Sequence, residues 1–436
     1  MRSLVLVLCL VSVATVPAKD VPAFPGAEGY GAKTPGGRGG KVIAVSNLND
    51  SGSGSFRAAC AAEGPRIVVF RVGGIIDLKS EINVTEPYLT VAVQTAPGDG
   101  ICLRGFNFLV STHDVIVRYL RSRPGIASGK EVDAIGVGSG GHDVIIDHCS
   151  ATWAIDENLS PSGSISNITV QWCIIAEALN HSIHHKGPHG YGSLARAVGG
   201  VSLPHNLWAH NTARNPRLGD NYGRPPFPTF DCRNNVIYDY GDVASGLTGD
   251  RLDVNYVGNY IRPGPSSNRK RGVIVFTDTA DAKYFVQGNI VDGNAAATKN
   301  NKLLFDRTEK DGKRLVSIEP TPFATPPIKT SNGKAALRDV LAHSGATLPI
   351  RDSVDRRIVQ TVRDGSGKII DRTDEVGGWP QYRSSEALLD SDGDGMPDDW
   401  EIKHHLNPHD PSDAVRDRDG DGYTNIEKYV NSIRAR

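Results

Sequence analysis

Methionine is nearly absent, at 2 of 436 residues, while glycine reaches 48 and proline 26. That balance argues against helix bundles and for many short strands joined by turns. Net charge is almost nil as well, since 48 Lys and Arg against 49 Asp and Glu leave −1 at pH 7. Such a chain has no global field to draw it to nucleic acid or a membrane surface, so neither is an expected partner. Any charged ligand has to be met by a local patch. No run beyond the N-terminus is long and apolar enough to span a bilayer. Cysteine is scarce: Cys9 lies in the leading apolar run, and Cys60, Cys102, Cys149, Cys173 and Cys232 follow no zinc-ligand spacing. An odd number leaves at least one thiol unpaired, and small apolar core filler is the expected role.

What is present starts at the N-terminus. Met1-Arg2, the apolar run LVLVLCLVSVATV and the small-residue site Val16-Pro17-Ala18 read as a secretory signal over residues 1–18. The expected location is extracellular, with the periplasm or cell surface as variants. A chain of 436 residues can hold more than one domain. Residues 19–300 form the first, 301–385 an extension and 386–436 a small terminal module.

Repeats set the fold. VIIDHCSATW, ITVQWCIIAE, HNLWAHNTAR, FDCRNNVIYD, DVNYVGNYIR and YFVQGNIVDG align on Cys149, Cys173, Asn211, Asn235, Asn259 and Asn289. Three of the steps are 24 residues (173−149, 235−211 and 259−235). Short strands at that period predict an all-β parallel β-helix, whose coils stack equivalent side chains and extrude loops that wall a groove. A β-sandwich is the alternative. The asparagine column is expected to be an internal stacking ladder, with Trp153 and Trp172 in the core rather than serving as sugar platforms. Residues 301–385 carry a helix at Ala335–Ala342 and are expected to pack along the solenoid or cap it. Asn-x-Ser/Thr sequons begin at Asn49, Asn83, Asn158 and Asn167.

The tail holds two acidic loops. Asp390, Asp392, Asp394, the Met396 carbonyl, Asp398 and Glu401 fit a twelve-residue EF-type calcium loop with Gly395 at the turn. Asp417, Asp419, Asp421, the Tyr423 carbonyl and Glu427 repeat it, but Lys428 stands at position twelve and Glu427 one place early. The pair resembles dockerin or thrombospondin-type calcium repeats, which would hold the module together or attach it to a surface.

The stretch AFPGAEGYGAKTPGGRGGKVIAVSNLNDSGSGSFRAA, then IDHCSATWAIDE, then RNPR, resembles the pectate lyase family over residues 23 to about 295. The resemblance implies a right-handed parallel β-helix and calcium-assisted β-elimination on polygalacturonate or a related pectin. A cation on a uronate carboxylate acidifies the neighbouring C–H, and a base must then take the proton. Hard oxygen ligands suit calcium. By resemblance the metal ligands are Glu131, Asp133 and Asp156, with Glu157 substituting for an acid whose usual place holds Thr152. Asp147 and His148 are expected to stabilise the stack instead. Arg214, in the Arg-x-Pro motif, is the implied base, and Arg217 and Lys186 are implied substrate contacts, with His185 beside them. His184, His185 and His189 are alternative bases. A β-helix glycosidase using Asp147 with Asp156 or Glu157, or a non-catalytic polysaccharide binder, are the competing functions. The chain is expected to act as a monomer.

Overall fold

None of the described strands exceeds seven residues, so each depends on its equivalents one coil above and below. The computed structural model describes residues 21–435 apart from 249–250, 270–271, 276–280, 307–308 and 311; the expected signal over 1–18 lies outside the described residues. Eleven strands stack into the largest sheet, from Lys41–Val45 to Val316–Ile318. Nine form a second, from Gly74–Asp77 to Ile290–Val291, and two sheets of four complete the third side. Pairing within these sheets is parallel, for example Val144 with Val115 and Ile168. The protein is therefore a parallel β-solenoid. A β-sandwich of antiparallel neighbours is excluded.

Burial explains the strand sequences. Val115, Val144 and Ile168 fill one interior column, and Val117, Ile146 and Val170 the next. The outward residues of the large sheet are covered too, so the strand Arg66–Phe70 is buried at every position and reads as continuous rather than alternating. Ala23 and Phe24 lie over Ile116 and Ile145. Met396, Ala414, Ile426 and Val430 of the tail lie over Ile67, Val69 and Ala92. The nine-stranded sheet is covered by helices Gly333–His343 and Ser353–Asp364, whose Val340, Ile358 and Val362 meet Ile174, Leu207 and Val236. None of these covering clusters includes a residue of the four-stranded sheets, and that side, the open one in this sense, carries the site. The five described cysteines are buried and free.

The polar ladder exists, with a corrected register. Asn206, Asn235, Asn259, Asn289 and Asn301 each accept, at 2.8–2.9 Å, the backbone N–H of the ladder residue one coil earlier, beginning at Cys173. Asn206, not Asn211, holds this rung. The steps around it are 33 (206−173) and 29 (235−206) residues. The reason lies in the corner. Each position from Cys149 through Cys173, Asn206, Asn235 and Asn259 to Asn289 follows a left-handed residue: His148, Trp172, His205, Asn234, Gly258 and Gly288 have φ of 51°, 53°, 62°, 52°, 64° and 68°. Glycine adopts that conformation without a Cβ penalty at Gly258 and Gly288, whereas the earlier coils bear it with side chains. Those side chains stack outside the corner, Tyr119 on His148 at 5.0 Å and Trp172 on His205 at 4.3 Å. Trp172 is thus a half-buried member of an aromatic column, and Trp153 is fully buried.

Candidate active site

Successive coils on the open side place the chemistry. Ala134 N–H donates to Glu157 O, Asn158 N–H to Tyr191 O, and Gly192 N–H to Ala213 O. Asp133, Glu157, Tyr191 and Arg214 consequently stand on four adjacent coils, roughly 4.8 Å apart along the stack. Carboxylate oxygens of Asp133, Asp156 and Glu157 all lie within 4.8 Å of one another. Burial first, and the Asp156 charge second, push the Asp133 carboxyl well above its ordinary value. Burial would also raise Asp156, but His189, with Nε2 2.6 Å from Asp156 Oδ1, and His184 at 3.6 Å hold it down. Glu131 stands apart from that trio, contrary to the expected Glu131–Asp133 pair. Its oxygens accept from the His185 backbone N–H and pair with His185 Nδ1, each at 2.6 Å. A loop bearing three histidines competes for this carboxylate.

Arg214 faces the trio. Its guanidinium lies 4.2 Å from the Tyr191 ring centre and pairs with Glu157, while its Nε is buried without a hydrogen-bond partner. Burial and then the Arg217 charge push its pKa down to about 10, against the pull of Asp156 and Asp133. Arg217 opens the strand Arg217–Asp220, paired with Leu194–Ala197. Lys186 is exposed on the histidine loop, and its backbone N–H donates to His184 Nδ1 at 3.1 Å.

Several expected residues do other work. Asp147 is fully buried between Arg118 and His148, both 2.8 Å away, and so is unavailable to a glycosidase pair. Thr152 is buried and accepts from Arg123. Asn211 lies behind the site: Asn158 Nδ2 donates to its Oδ1, and its Nδ2 donates to Asn215 Oδ1, both at 3.0 Å. This bridge ties the residue after Glu157 to the residue after Arg214. Asn158 is fully buried and cannot accept a glycan in the folded protein. Sequence reasoning missed Tyr191 and this triad; the only signal was Asn211 standing four residues before Asn215, the middle residue of the Arg-x-Pro motif.

In the tail, Asp390, Asp392 and Asp394 lie together, and Asp394 and Glu401 converge with Asp413. Burial, then mutual repulsion, raises Glu401 to about 8, and burial likewise raises Asp394 to about 7. Asp398 does not join them, because its oxygens accept from Ser391 N–H and Oγ at 2.7 and 2.6 Å. In the second loop Glu427 is turned away: it caps Thr424 at 2.9 Å and pairs with Arg38 at 2.9 Å.

No family model matches the chain. Among curated relatives, the probable pectate lyase C of Aspergillus flavus is 38% identical over 421 residues, covering 94% of both chains. That of Aspergillus terreus is 37% identical over 423 residues, again covering 94% of both. Among solved structures, the major allergen from cedar pollen superposes with a TM-score of 0.56 at 17% identity, over 73% of this chain and 92% of that one. The thermostable pectate lyase PL 47 superposes with a TM-score of 0.53 at 16% identity, over 73% and 97%. These two structures share the fold.

Proposed function

Because this chain belongs to the pectate lyase family and is a polysaccharide lyase, we propose that it is a secreted enzyme cleaving polygalacturonate by calcium-dependent β-elimination. One observation carries the reading. A partly desolvated arginine with a lowered pKa faces three clustered carboxylates on the open side of the solenoid. Three hard oxygen donors within 4.8 Å of one another, one of them with a strongly raised pKa, are what a divalent cation would relieve, so Asp133, Asp156 and Glu157 fit calcium. When bound, the ion supplies Lewis-acid polarisation of a uronate carboxylate.

The chain's own residues do the rest. Arg214 is the base for the proton beside that carboxylate, and its pair with Glu157 must open before it can accept one. Tyr191 holds the guanidinium plane, and Arg217 both lowers the proton affinity of Arg214 and offers a fork to the substrate carboxylate. Lys186 and His185, exposed on the loop beside the site, are placed to meet the acidic polymer. The first tail loop serves as a separate structural cation site. No helix among the described residues is long and apolar enough to cross a membrane.

The pH profile of kcat/KM tests this assignment. Below about 10 Arg214 keeps its proton and cannot accept another. Activity is therefore expected to rise with pH, by about tenfold per unit in the limiting case, and to vanish in chelator. A profile that levels off at neutral pH or below would transfer the role from Arg214 to a histidine of the neighbouring loop.

A further inference from the structure

The tail contains two loops of similar sequence whose interiors are unlike. At the first, Asp394 and Glu401 of the loop and Asp413 from outside it are 3%, 0% and 5% exposed. Both Glu401 oxygens, Asp392 Oδ2, Asp394 Oδ2 and Asp413 Oδ1 are buried with no hydrogen-bond partner. Buried carboxylate oxygens without a donor are costly to keep charged, and a cation among them removes that cost. Asp413 belongs to neither loop. Its other oxygen accepts from Asn407 N–H at 3.2 Å and its carbonyl from Asn425 Nδ2 at 2.9 Å, which leaves Oδ1 turned into the cluster.

In the second loop the centre is already occupied by a positive charge. Lys428 Nζ lies 3.6, 2.9 and 3.4 Å from Asp417, Asp419 and Asp421. The lysine at position twelve, which looks like a defect in the sequence, supplies the countercharge itself.

We propose that the tail binds one oxygen-seeking divalent cation rather than two, and that Asp413 completes its ligand set with Asp392, Asp394 and Glu401. This rests on reading the first loop as a cation site. The ion then acts as a clasp. Asp413 ties it to the helix Asn425–Ser432, and Asp390, next in the cluster, pairs with Arg71 of the solenoid at 2.7 Å. Met396 from the loop and Ile426 from that helix both lie on the large sheet. Removing the ion would loosen the cover over Ile67 and Val69.

The test is equilibrium dialysis of the full chain with calcium, alongside thermal unfolding with and without chelator. Asp413→Ala is expected to lose one bound equivalent relative to the unaltered protein and to abolish the tail-dependent part of the calcium-induced rise in melting temperature. Asp398→Ala and Asp419→Ala are expected to keep that equivalent, and Lys428→Gln to gain one. If Asp392→Ala removes an equivalent but Asp413→Ala does not, the proposed ligand set is wrong while the loop remains a cation site. If Asp392→Ala removes none, the reading of the first loop itself fails. Loss of an equivalent in Asp419→Ala would overturn the single-ion proposal, and this result does not depend on how well the Asp413 variant folds.

Discussion

Replacing Arg214 with alanine is expected to lower kcat by about 10²–10⁴-fold, the usual contribution of a positioned general base, while leaving the solenoid folded. The side chain is half-buried at the surface of the stack rather than inside it. Its removal deletes a cation over Tyr191 and a partner of Glu157, and no interior packing. Glu157 would lose its countercharge, so calcium affinity in the groove should hold or increase. The measurement is kcat and KM on polygalacturonate together with calcium titration of the variant. Arg214→Lys separates charge from base function. A lysine can hold Glu157 without reproducing the guanidinium lying on Tyr191, so it should restore the ion pair far better than the rate. A variant that retains more than about a tenth of kcat would exclude Arg214 as the base.

The second large effect concerns stability. Arg123 is fully buried and donates to Asp352 at 2.6 and 3.2 Å, to Asp355 at 2.7 Å and to Thr152 at 3.2 Å. Ser150 donates to the other Asp355 oxygen, and Arg121 lies 3.4 Å from Asp352. This network joins strands Arg121–Arg123 and Ser150–Thr152 to the helix Ser353–Asp364. Two carboxylates share two arginines away from water. Removing one arginine therefore strands a buried negative charge. Arg123→Met is expected to cost about 3–5 kcal/mol of unfolding free energy, the usual penalty for breaking a buried pair from one side, as read by urea titration. The double change Arg123→Met with Asp355→Asn should recover part of that loss, since the stranded charge goes with it. A single-variant loss below about 1 kcal/mol, the range of an exposed pair, would show that the network is solvated.

Much of the fold was legible because a solenoid writes its period into the chain. Cys149 and Cys173 fall 24 residues apart and do occupy successive coils, through the pairs Ser150–Ile174 and Ala151–Ile175. The register failed at Asn211 because corners, not asparagines, define the coil. His210 is a left-handed corner residue with φ 57°, and an asparagine after it mimics the ladder one corner too late. The intervening loop that carries His184 and His189 stretched the period and hid the slip. Helix Ser353–Asp364 escaped notice among its charges, although Val354, Ile358, Val359 and Val362 lie buried on one face. Its capping residue Asp352 and its first-turn Asp355 face Arg123, more than two hundred residues away in sequence, and no local pattern announces such a partner.

The site divides the same way. Arg214, Asp156 and Glu157 could be singled out as candidates because they sit in short motifs, and the fold brings them together. Tyr191 and the Asn158–Asn211–Asn215 bridge were not, since stacking coils brings together residues as much as 53 positions apart. Asp413 was invisible for a related reason, because a twelve-residue template contains no place for a ligand from outside it. The histidine loop shows the limit of motif transfer most plainly, since it takes Glu131 away from its expected partner.

The most direct measurement is the product of cleavage. Purified protein incubated with polygalacturonate and calcium should generate ultraviolet absorbance from an unsaturated uronate in step with new reducing ends, and both should disappear with chelator. Reducing ends accumulating without that absorbance would mean hydrolysis. Arg214 would then not be the base of an elimination, nor Asp133, Asp156 and Glu157 the cradle of the cation that drives one.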